Sequence, residues 1–230
     1  MNGIQKWLIG LGHLLYPRLC DACRTPLIQQ EQCLCLRCES LLPFTHFHTL
    51  ANNESTQRLA GRFPFVKATS LAYFTEEGML QHLLHQLKYQ HKERIGWYLG
   101  RLLGIALQRA HWEVDVIMGV PLHQKKEALR GFNQSQLIGE GISEQIHKPI
   151  LKDAVIRVKN TSSQTNKSRQ ERIDNVKDAF AVKQAKAIEG KHILLIDDVL
   201  TTGATIEACA TALLQVPNCR LSIATIGIAV

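Results

Sequence analysis

Two adjacent carboxylates, Asp197 and Asp198, follow the apolar run His192–Ile196. A run that is apolar at nearly every position predicts a strand buried on both faces of a parallel sheet. Neighbouring carboxylates repel each other and are poorly suited to a buried strand, so we expect them just past its carboxyl end, where open α/β sheets bind ligands. The pair is therefore a candidate for binding the hydroxyl groups of a ligand.

A short loop and a predicted helix follow the acids, and both are suited to binding an anion. The loop residues are Thr201, Thr202, Gly203, Ala204 and Thr205. Small residues leave backbone N–H groups free to converge on a phosphate, and the predicted helix, Gly203–Leu214, adds the partial positive charge of its N-terminus. Acids and loop together suit a ribose 5-phosphate, with carboxylates for its 2′ and 3′ hydroxyls and amides for its phosphate. A helix cap alone would need only one of these acids or threonines.

A second charged segment is expected at the same edge of the sheet. Lys125, Lys126 and Arg130 come after the predicted strand Val114–Val120. The carboxyl ends of parallel strands share one edge, so these cations would face the crevice that holds the acids. A solvated turn is the alternative interpretation of the two lysines.

The stretch 152–172 is strongly basic, with six Lys and Arg residues against two acids in a chain of net charge +7. Such an excess attracts phosphate groups, whether of nucleotides or of nucleic acids. From residue 159 the stretch has no apolar periodicity, which predicts a loop. A solvated surface segment or a disordered linker is the alternative.

Five of the seven cysteines lie close together near the N-terminus. The pairs Cys20-x2-Cys23 and Cys35-x2-Cys38 are separated by 11 residues, a spacing that lets four thiolates converge tetrahedrally on a structural zinc ion. Metal binding would supply folding energy that so small a segment lacks. Cys33 could replace a member of the second pair, although Cys33-x-Cys35 cannot form the same two-residue knuckle. Redox-active or incidental thiols are the alternative.

The elements that must position these residues alternate between strands and helices from about residue 67. This alternation favours an α/β fold with a parallel sheet covered by helices on both faces. Residues 1–45 are expected to form an amphipathic helix and a four-cysteine zinc finger, and the polar residues 46–66 an irregular linker. The length of 230 residues suits one domain, 67–230, with this small appendage.

The composition and the N-terminus argue against a membrane or secreted protein. No apolar stretch approaches the roughly 18 residues that a membrane-spanning helix needs. Gly12-His13 interrupts the apolar residues of the N-terminus, and Tyr16-Pro17-Arg18 follows them, which is unlike a secretory signal. The sequence predicts a cytoplasmic protein with no membrane span.

The run Ile196–Thr205 resembles the phosphoribosyl-pyrophosphate signature of type I phosphoribosyltransferases. The resemblance implies that Asp197 and Asp198 contact the ribose hydroxyls, with Mg²⁺ on the ligand side, and that the loop 201–205 binds the 5′-phosphate. It implies that the segment with Lys125, Lys126 and Arg130 binds pyrophosphate. It also implies a flexible loop that closes over the pyrophosphate and carries Gln164, Lys167, Arg169 and Arg172.

From Cys20 to the C-terminus the chain also resembles the ComF family of competence proteins and their GntX-like relatives. The motifs behind this resemblance are the four cysteines, Leu87-Lys88-Tyr89, Val120-Pro121-Leu122-His123, Arg130-Gly131-Phe132-Asn133-Gln134 and Gln164…Arg172…Asn175-Val176…Ala179-Phe180. The family implies a role in natural transformation, in which a domain that binds phosphoribosyl pyrophosphate or a related sugar phosphate handles incoming single-stranded DNA. The alternative is an active phosphoribosyltransferase acting on an unknown base or amine acceptor. A DNA-uptake helicase or channel protein is the implied protein partner.

Overall fold

The computed structural model describes residues 17–158 and 179–230. The chain divides into two compact units, Met1–Pro43 and Phe44–Val230. In the first unit Leu19 and Pro26 form an antiparallel bridge, and helix α1 spans Leu36–Ser40. The helix predicted for residues 1–16 lies outside the described residues, as do the predicted loop residues Gln164, Lys167, Arg169 and Arg172.

The second unit contains helices and strands throughout its described residues. Along the described chain they are a 3-10 helix (Phe47–Thr49), α2 (Glu54–Leu59), β1 (Ala68–Phe74), α3 (Met79–Tyr89), α4 (Glu93–Arg109), β2 (Val116–Gly119), α5 (Gln124–Arg130), α6 (Gln134–Ile146), β3 (Val155–Arg157), β4 (Phe180–Val182), α7 (Ala185–Ile188), β5 (His192–Leu200), α8 (Ala204–Leu213) and β6 (Arg220–Ala229). Among the described residues, no helix has the length and apolar character that crossing a membrane requires.

A four-stranded sheet with the spatial order β1-β6-β5-β2 forms the centre of this unit. Every neighbouring pair is parallel, which confirms the predicted α/β fold. Because the strands are parallel, all four carboxyl ends lie at one edge of the sheet and all four amino ends at the other. Residues 193–196 of β5 are fully buried, as expected for a strand covered on both faces. Strands β3 and β4 form a separate antiparallel pair.

Helices α4 and α6 pack with their backbones almost touching. A Cβ atom built on Gly100 would lie 2.1 Å from the carbonyl oxygen of Ile138, and one on Gly141 would lie 2.1 Å from that of Trp97. Real Cβ atoms do not approach a carbonyl oxygen so closely, so only glycine fits at these two positions. This contact holds α6 in place, and the first turn of α6 carries two residues of the site described below.

The expectation of an irregular linker over residues 46–66 is wrong. These residues belong to the second unit, which begins at Phe44, and they contain the 3-10 helix and α2. Asn53 caps α2 in a capping box with Thr56, and its side-chain amide also donates to the carbonyl oxygens of Leu50 and Ala68. The polar residues that suggested a linker therefore form buried hydrogen bonds that attach α2 to the start of β1.

Strand β5 is also longer than the sequence predicts, because it includes both acids. Asp197 pairs with Thr225 of β6, whereas the pairing of β5 with β2 ends at Ile196 and Gly119. The backbone of the acids is held on the β6 side only. Because β2 stops one residue before them, the acids still lie at the open carboxyl edge of the sheet.

Candidate functional site

The two acids of β5 make hydrogen bonds with the first turn of α6. The Ser135 hydroxyl donates to Asp197 Oδ1 at 3.1 Å, and the Gln134 amide donates to Asp198 Oδ2 at 3.3 Å. Asn133 begins α6, because its side chain accepts a hydrogen bond from the Ser135 N–H at 3.0 Å and so satisfies a free donor of the first turn. Residues 133–135 therefore both cap α6 and contact the two acids.

Lys88 supplies a positive charge next to the acid pair, Asp197 and Asp198. Its Nζ lies 2.5 Å from Asp198 Oδ2, and Asp198 is only 8% exposed. A mostly buried carboxylate is costly without a partner, so this ion pair offsets part of the cost of burying Asp198.

The surroundings of Asp197 change its affinity for a proton. Burial and the negative charge of Asp198 raise the pKa of Asp197 to about 7, against the opposing effects of the Asp198 N–H, the Ser135 hydroxyl and Lys88. Near neutral pH a proton therefore resides on Asp197 in a substantial fraction of molecules. Donors supplied by a ligand, such as two sugar hydroxyls, would favour the ionised form.

A cavity of about 210 Å³ opens in front of the acids at the carboxyl edge. The predicted site residues that line it are Asp197, Asp198, Thr205, Lys126 and Arg130. The fold thus brings the predicted ribose-binding and pyrophosphate-binding segments to one cavity, although about 70 residues separate them in the chain.

The remaining residues of the predicted phosphate loop are not among those that line this cavity. Gly203 has the left-handed φ of 80° and is the N-cap of α8, so the loop ends where the amino end of α8 begins. Thr201 and Thr202 are exposed. Lys125 does not line the cavity either; its backbone N–H donates to His123 Nδ1, which caps α5.

Several cavity residues were not predicted as site residues. They are Lys88, Tyr89, Gln134, Ser135 and Arg157. Lys88, Tyr89 and Gln134 belong to motifs that carry the family resemblance, which was a usable signal. Arg157 lies on β3 of the small sheet, and no local pattern connects it with the acids.

Three cations, Lys126, Arg130 and Arg157, line the cavity and act on one another electrostatically. Burial and the charges of Arg157 and Arg130 lower the pKa of Lys126. Arg157 is itself largely buried; burial lowers its pKa, whereas the charge of Asp197 raises it. Like charges held together in this way repel each other, and a polyanion placed among them would relieve that repulsion.

A second candidate site is the cysteine cluster of the first unit. The sulfur atoms of Cys20, Cys23, Cys35 and Cys38 all lie within 4.8 Å of one another. The Cys23 and Cys35 sulfurs are 3.7 Å apart, close to the roughly 3.8 Å expected for a tetrahedral zinc site with bonds of about 2.3 Å. The Cys35 N–H donates to the Cys20 sulfur at 3.3 Å, the kind of contact that orients a metal-bound thiolate. These four cysteines can hold a metal ion such as zinc.

The fifth cysteine of this region, Cys33, has a different partner. Its thiol donates to Asp21 Oδ2 at 3.2 Å, and both residues are buried. Cys33 therefore lies outside the four-sulfur group, which agrees with the assignment of Cys35 and Cys38 as the second pair.

Comparison with known proteins supports this description. Residues 135–229 match the phosphoribosyl transferase domain, which includes α6, the acids and the loop. The DNA utilization protein YhgH of Escherichia coli K12 is 32% identical over 221 residues, which cover 88% of this chain and 93% of that protein.

Two shorter matches carry names from bacterial competence. Competence protein F of Haemophilus influenzae is 34% identical over 134 residues, covering 56% of this chain and 58% of that protein. Competence protein ComFC of Bacillus subtilis is 33% identical over 100 residues, covering 44% of this chain and 38% of that protein. The chain belongs to the ComF family of competence proteins, within the phosphoribosyltransferase superfamily.

Proposed function

We propose that this protein acts in the cytoplasm during natural transformation, handling incoming single-stranded DNA, and that its phosphoribosyltransferase-like domain binds phosphoribosyl pyrophosphate or a related sugar phosphate. The observation that carries the ligand assignment is the meeting of the acid pair with Lys126, Arg130 and Arg157 in one cavity. A ligand that carries both a diol and a pyrophosphate matches this combination of acids and cations.

Each part of the ligand has a matching group. The carboxylates of Asp197 and Asp198 would accept hydrogen bonds from the 2′ and 3′ hydroxyls. The loop 201–205 and the amino end of the ten-residue helix α8 would hold the 5′-phosphate. The pyrophosphate would bind to Lys126, Arg130 and Arg157. Further contacts would come from Lys125 and from the predicted flexible loop, through Gln164, Lys167, Arg169 and Arg172.

Magnesium would enter this site together with the pyrophosphate. Mg²⁺ prefers oxygen ligands and is usually shared between one or two carboxylates and the phosphates of a substrate, and the acid pair supplies such oxygens. Its charge would neutralise the pyrophosphate oxygens that the three cations do not reach.

The DNA role is supported by the relatives, whose names are "DNA utilization protein" and "Competence protein". A net charge of +7 favours association with a polyanion. We also propose that the protein binds a helicase or channel protein of the uptake machinery. A structural Zn²⁺ ion would be held by Cys20, Cys23, Cys35 and Cys38.

Transfer of the phosphoribosyl group to an acceptor is the second candidate function. A further cavity of about 190 Å³ adjoins the first and shares Pro121, Leu122 and Arg157 with it, so an acceptor would have room beside the sugar. In such a reaction the acceptor nitrogen forms a bond to the ribose C1 carbon as the C1–oxygen bond breaks. Pyrophosphate departs with the bonding electrons, and the nearby cations stabilise its charge.

Calorimetric titration with phosphoribosyl pyrophosphate and Mg²⁺, followed by an assay for released pyrophosphate, tests both functions. Binding without release supports the binding role, and release that depends on an added base or amine supports the transferase. Asp197→Asn together with Asp198→Asn should abolish binding, whereas Glu189→Gln, an exposed acid on another part of the surface, should leave it unchanged. Wild-type protein that takes up no ligand at millimolar concentration would refute the ligand assignment.

A further inference from the structure

A larger cavity lies at the opposite edge of the sheet. Its volume is about 510 Å³, and it is lined in part by Lys67, Asp115, His192 and Arg220, which stand at or just before the first residues of β1, β2, β5 and β6. The four parallel strands therefore point their amino ends at it. We call it the amino-edge cleft.

The amino-edge cleft is well separated from the cavity of about 210 Å³ in front of Asp197 and Asp198, which we call the ribose cavity. Both include residues of β5: His192 lines the cleft, and Asp197 lines the ribose cavity. Five residues of extended strand span about 16 Å at roughly 3.3 Å per residue. A ligand in one site would leave the other accessible.

The walls of the cleft carry three cations and two acids, a small excess of positive charge. Lys67, Lys148 and Arg220 line it, and Lys67 and Arg220 are exposed. The acid Asp115 is already engaged, because its Oδ2 accepts a hydrogen bond from the His192 N–H at 2.7 Å. That hydrogen bond, with the charges of Lys191, His192 and Lys148, lowers the pKa of Asp115. Glu113, which is exposed, is the other acid in the lining.

The buried end of the cleft is polar. His192 and Ser222 are almost fully buried, and the His192 Nε2 and Ser222 Oγ atoms form a hydrogen bond of 2.9 Å. Burial and the charges of Arg220 and Lys67 lower the pKa of His192, although Asp115 opposes them. Arg220 and Lys67 thus act on this buried end with two positive charges against the single negative charge of Asp115, an excess that favours an anion.

An aromatic side chain completes one wall. The ammonium of Lys67 lies 5.5 Å from the ring centroid of Trp112, and the Trp112 Nε1–H donates to the carbonyl oxygen of His48 at 3.1 Å. Trp112 is thus fixed by its own hydrogen bond and provides a rigid support for the lysine beside it.

We propose that the amino-edge cleft binds the phosphodiester backbone of single-stranded DNA. This inference rests on the proposed function for the involvement of DNA and adds the surface that contacts it. A concave site of this size accepts the backbone of a single strand with one or two sugars, and the three cations on its walls would pair with its phosphates. The ribose cavity remains available to phosphoribosyl pyrophosphate at the same time.

Charge reversal in the full-length protein tests the proposal. Lys67→Glu and Arg220→Glu each reverse one exposed charge of the cleft, and Lys186→Glu, on α7 and outside both cavities, is the matched control. Fluorescence anisotropy with a labelled oligothymidylate would give the affinity at several salt concentrations. Each cleft variant is expected to bind about tenfold more weakly at low salt, and its plot of log affinity against log salt should lose about one unit of slope.

Two further measurements separate this proposal from the ligand assignment. Phosphoribosyl pyrophosphate binding should be unchanged in the cleft variants, which also verifies their fold, and DNA binding should persist in the Asp197→Asn, Asp198→Asn protein. Cleft variants that bind DNA within about twofold of Lys186→Glu would overturn the proposal. Equal competition by polyglutamate of the same charge would also overturn it, because the cleft would then be a site for acidic peptides.

Discussion

The ammonium of Lys88 lies 2.5 Å from Oδ2 of Asp198 and joins the last turn of α3 to the acid pair of β5. These residues are 110 positions apart in the chain. The ion pair means that the negative charge of the candidate ribose site is already balanced on one side before any ligand arrives.

Removing Lys88 should therefore reduce stability. With side chains only 25% and 11% exposed, Lys88→Met leaves Asp198 with a poorly solvated charge, and the free energy of unfolding should fall by about 1–3 kcal/mol at pH 8. Urea denaturation measures this change. Lys152→Met is the control, since its pairing with Glu140 is much more exposed and should contribute less than about 1 kcal/mol. Equal losses in the two variants would contradict the assigned role of Lys88.

Asp197→Asn should stabilise the unliganded protein at alkaline pH. The folded-state pKa of about 7 is above the ordinary value of 3.8, so the folded protein holds a proton that the unfolded chain releases. The contribution of protonated Asp197 is complete at pH values below 3.8 and is lost as the pH rises through about 7. An asparagine oxygen can still accept from the Ser135 hydroxyl and the Asp198 N–H without carrying a charge.

The gain is expected to be larger at pH 8 than at pH 5 by on the order of 2 kcal/mol, because most of the loss between pH 3.8 and about 7 falls between these two values. Thermal melting of both proteins across this range measures it. Asp198→Asn serves as the comparison, because it removes the partner of Lys88 and should not stabilise. A difference between wild type and Asp197→Asn that does not vary with pH would show that Asp197 is ionised throughout.

Zinc content should distinguish Cys20 from Cys33. Cys20→Ser removes one of four sulfurs from the cluster and should leave the protein with little or no bound zinc. Cys33→Ser should retain about one zinc per chain, because the Cys33 thiol contacts Asp21 and not the cluster. Elemental analysis of the purified full-length proteins gives the answer, and loss of metal from the Cys33 variant would move Cys33 into the ligand set.

Two glycines of α6 should respond to alanine in opposite ways. Gly141→Ala would place a Cβ atom 2.1 Å from the Trp97 carbonyl oxygen and should destabilise the fold by about 2–4 kcal/mol, because α4 and α6 must separate. Gly139→Ala meets only the Ile117 Cγ2 atom, at 3.4 Å, and should be neutral or slightly stabilising through its higher helix propensity. Denaturant midpoints report both effects. Similar values for the two variants would contradict the close packing of these helices.

Much of the fold could be predicted from the sequence, because its elements carry strong local patterns. The apolar run of β5 and the alternation of strands with helices predict a buried parallel sheet, and parallel strands place their carboxyl ends at one edge. The four cysteines likewise lie within a short segment, where spacing alone restricts the geometry. The linker over residues 46–66 was predicted wrongly, because the polar residues of a buried helix cap have the same composition as a loop. A buried cap differs from a loop in its contacts. Here the Asn53 side chain donates a hydrogen bond to the Ala68 carbonyl oxygen, and this contact forms only when the chain is packed.

In the candidate site, the acid pair, the loop after it and the cations of the segment 125–130 can be found from the sequence, because each is a contiguous motif at the end of a predicted strand. The packed structure is needed to show that Lys88 pairs with Asp198, that Arg157 joins Lys126 and Arg130, and that Lys67 and Arg220 share a cleft at the far edge. A charge acts over the few ångströms around it, and these side chains are brought within that range by elements up to 153 residues apart.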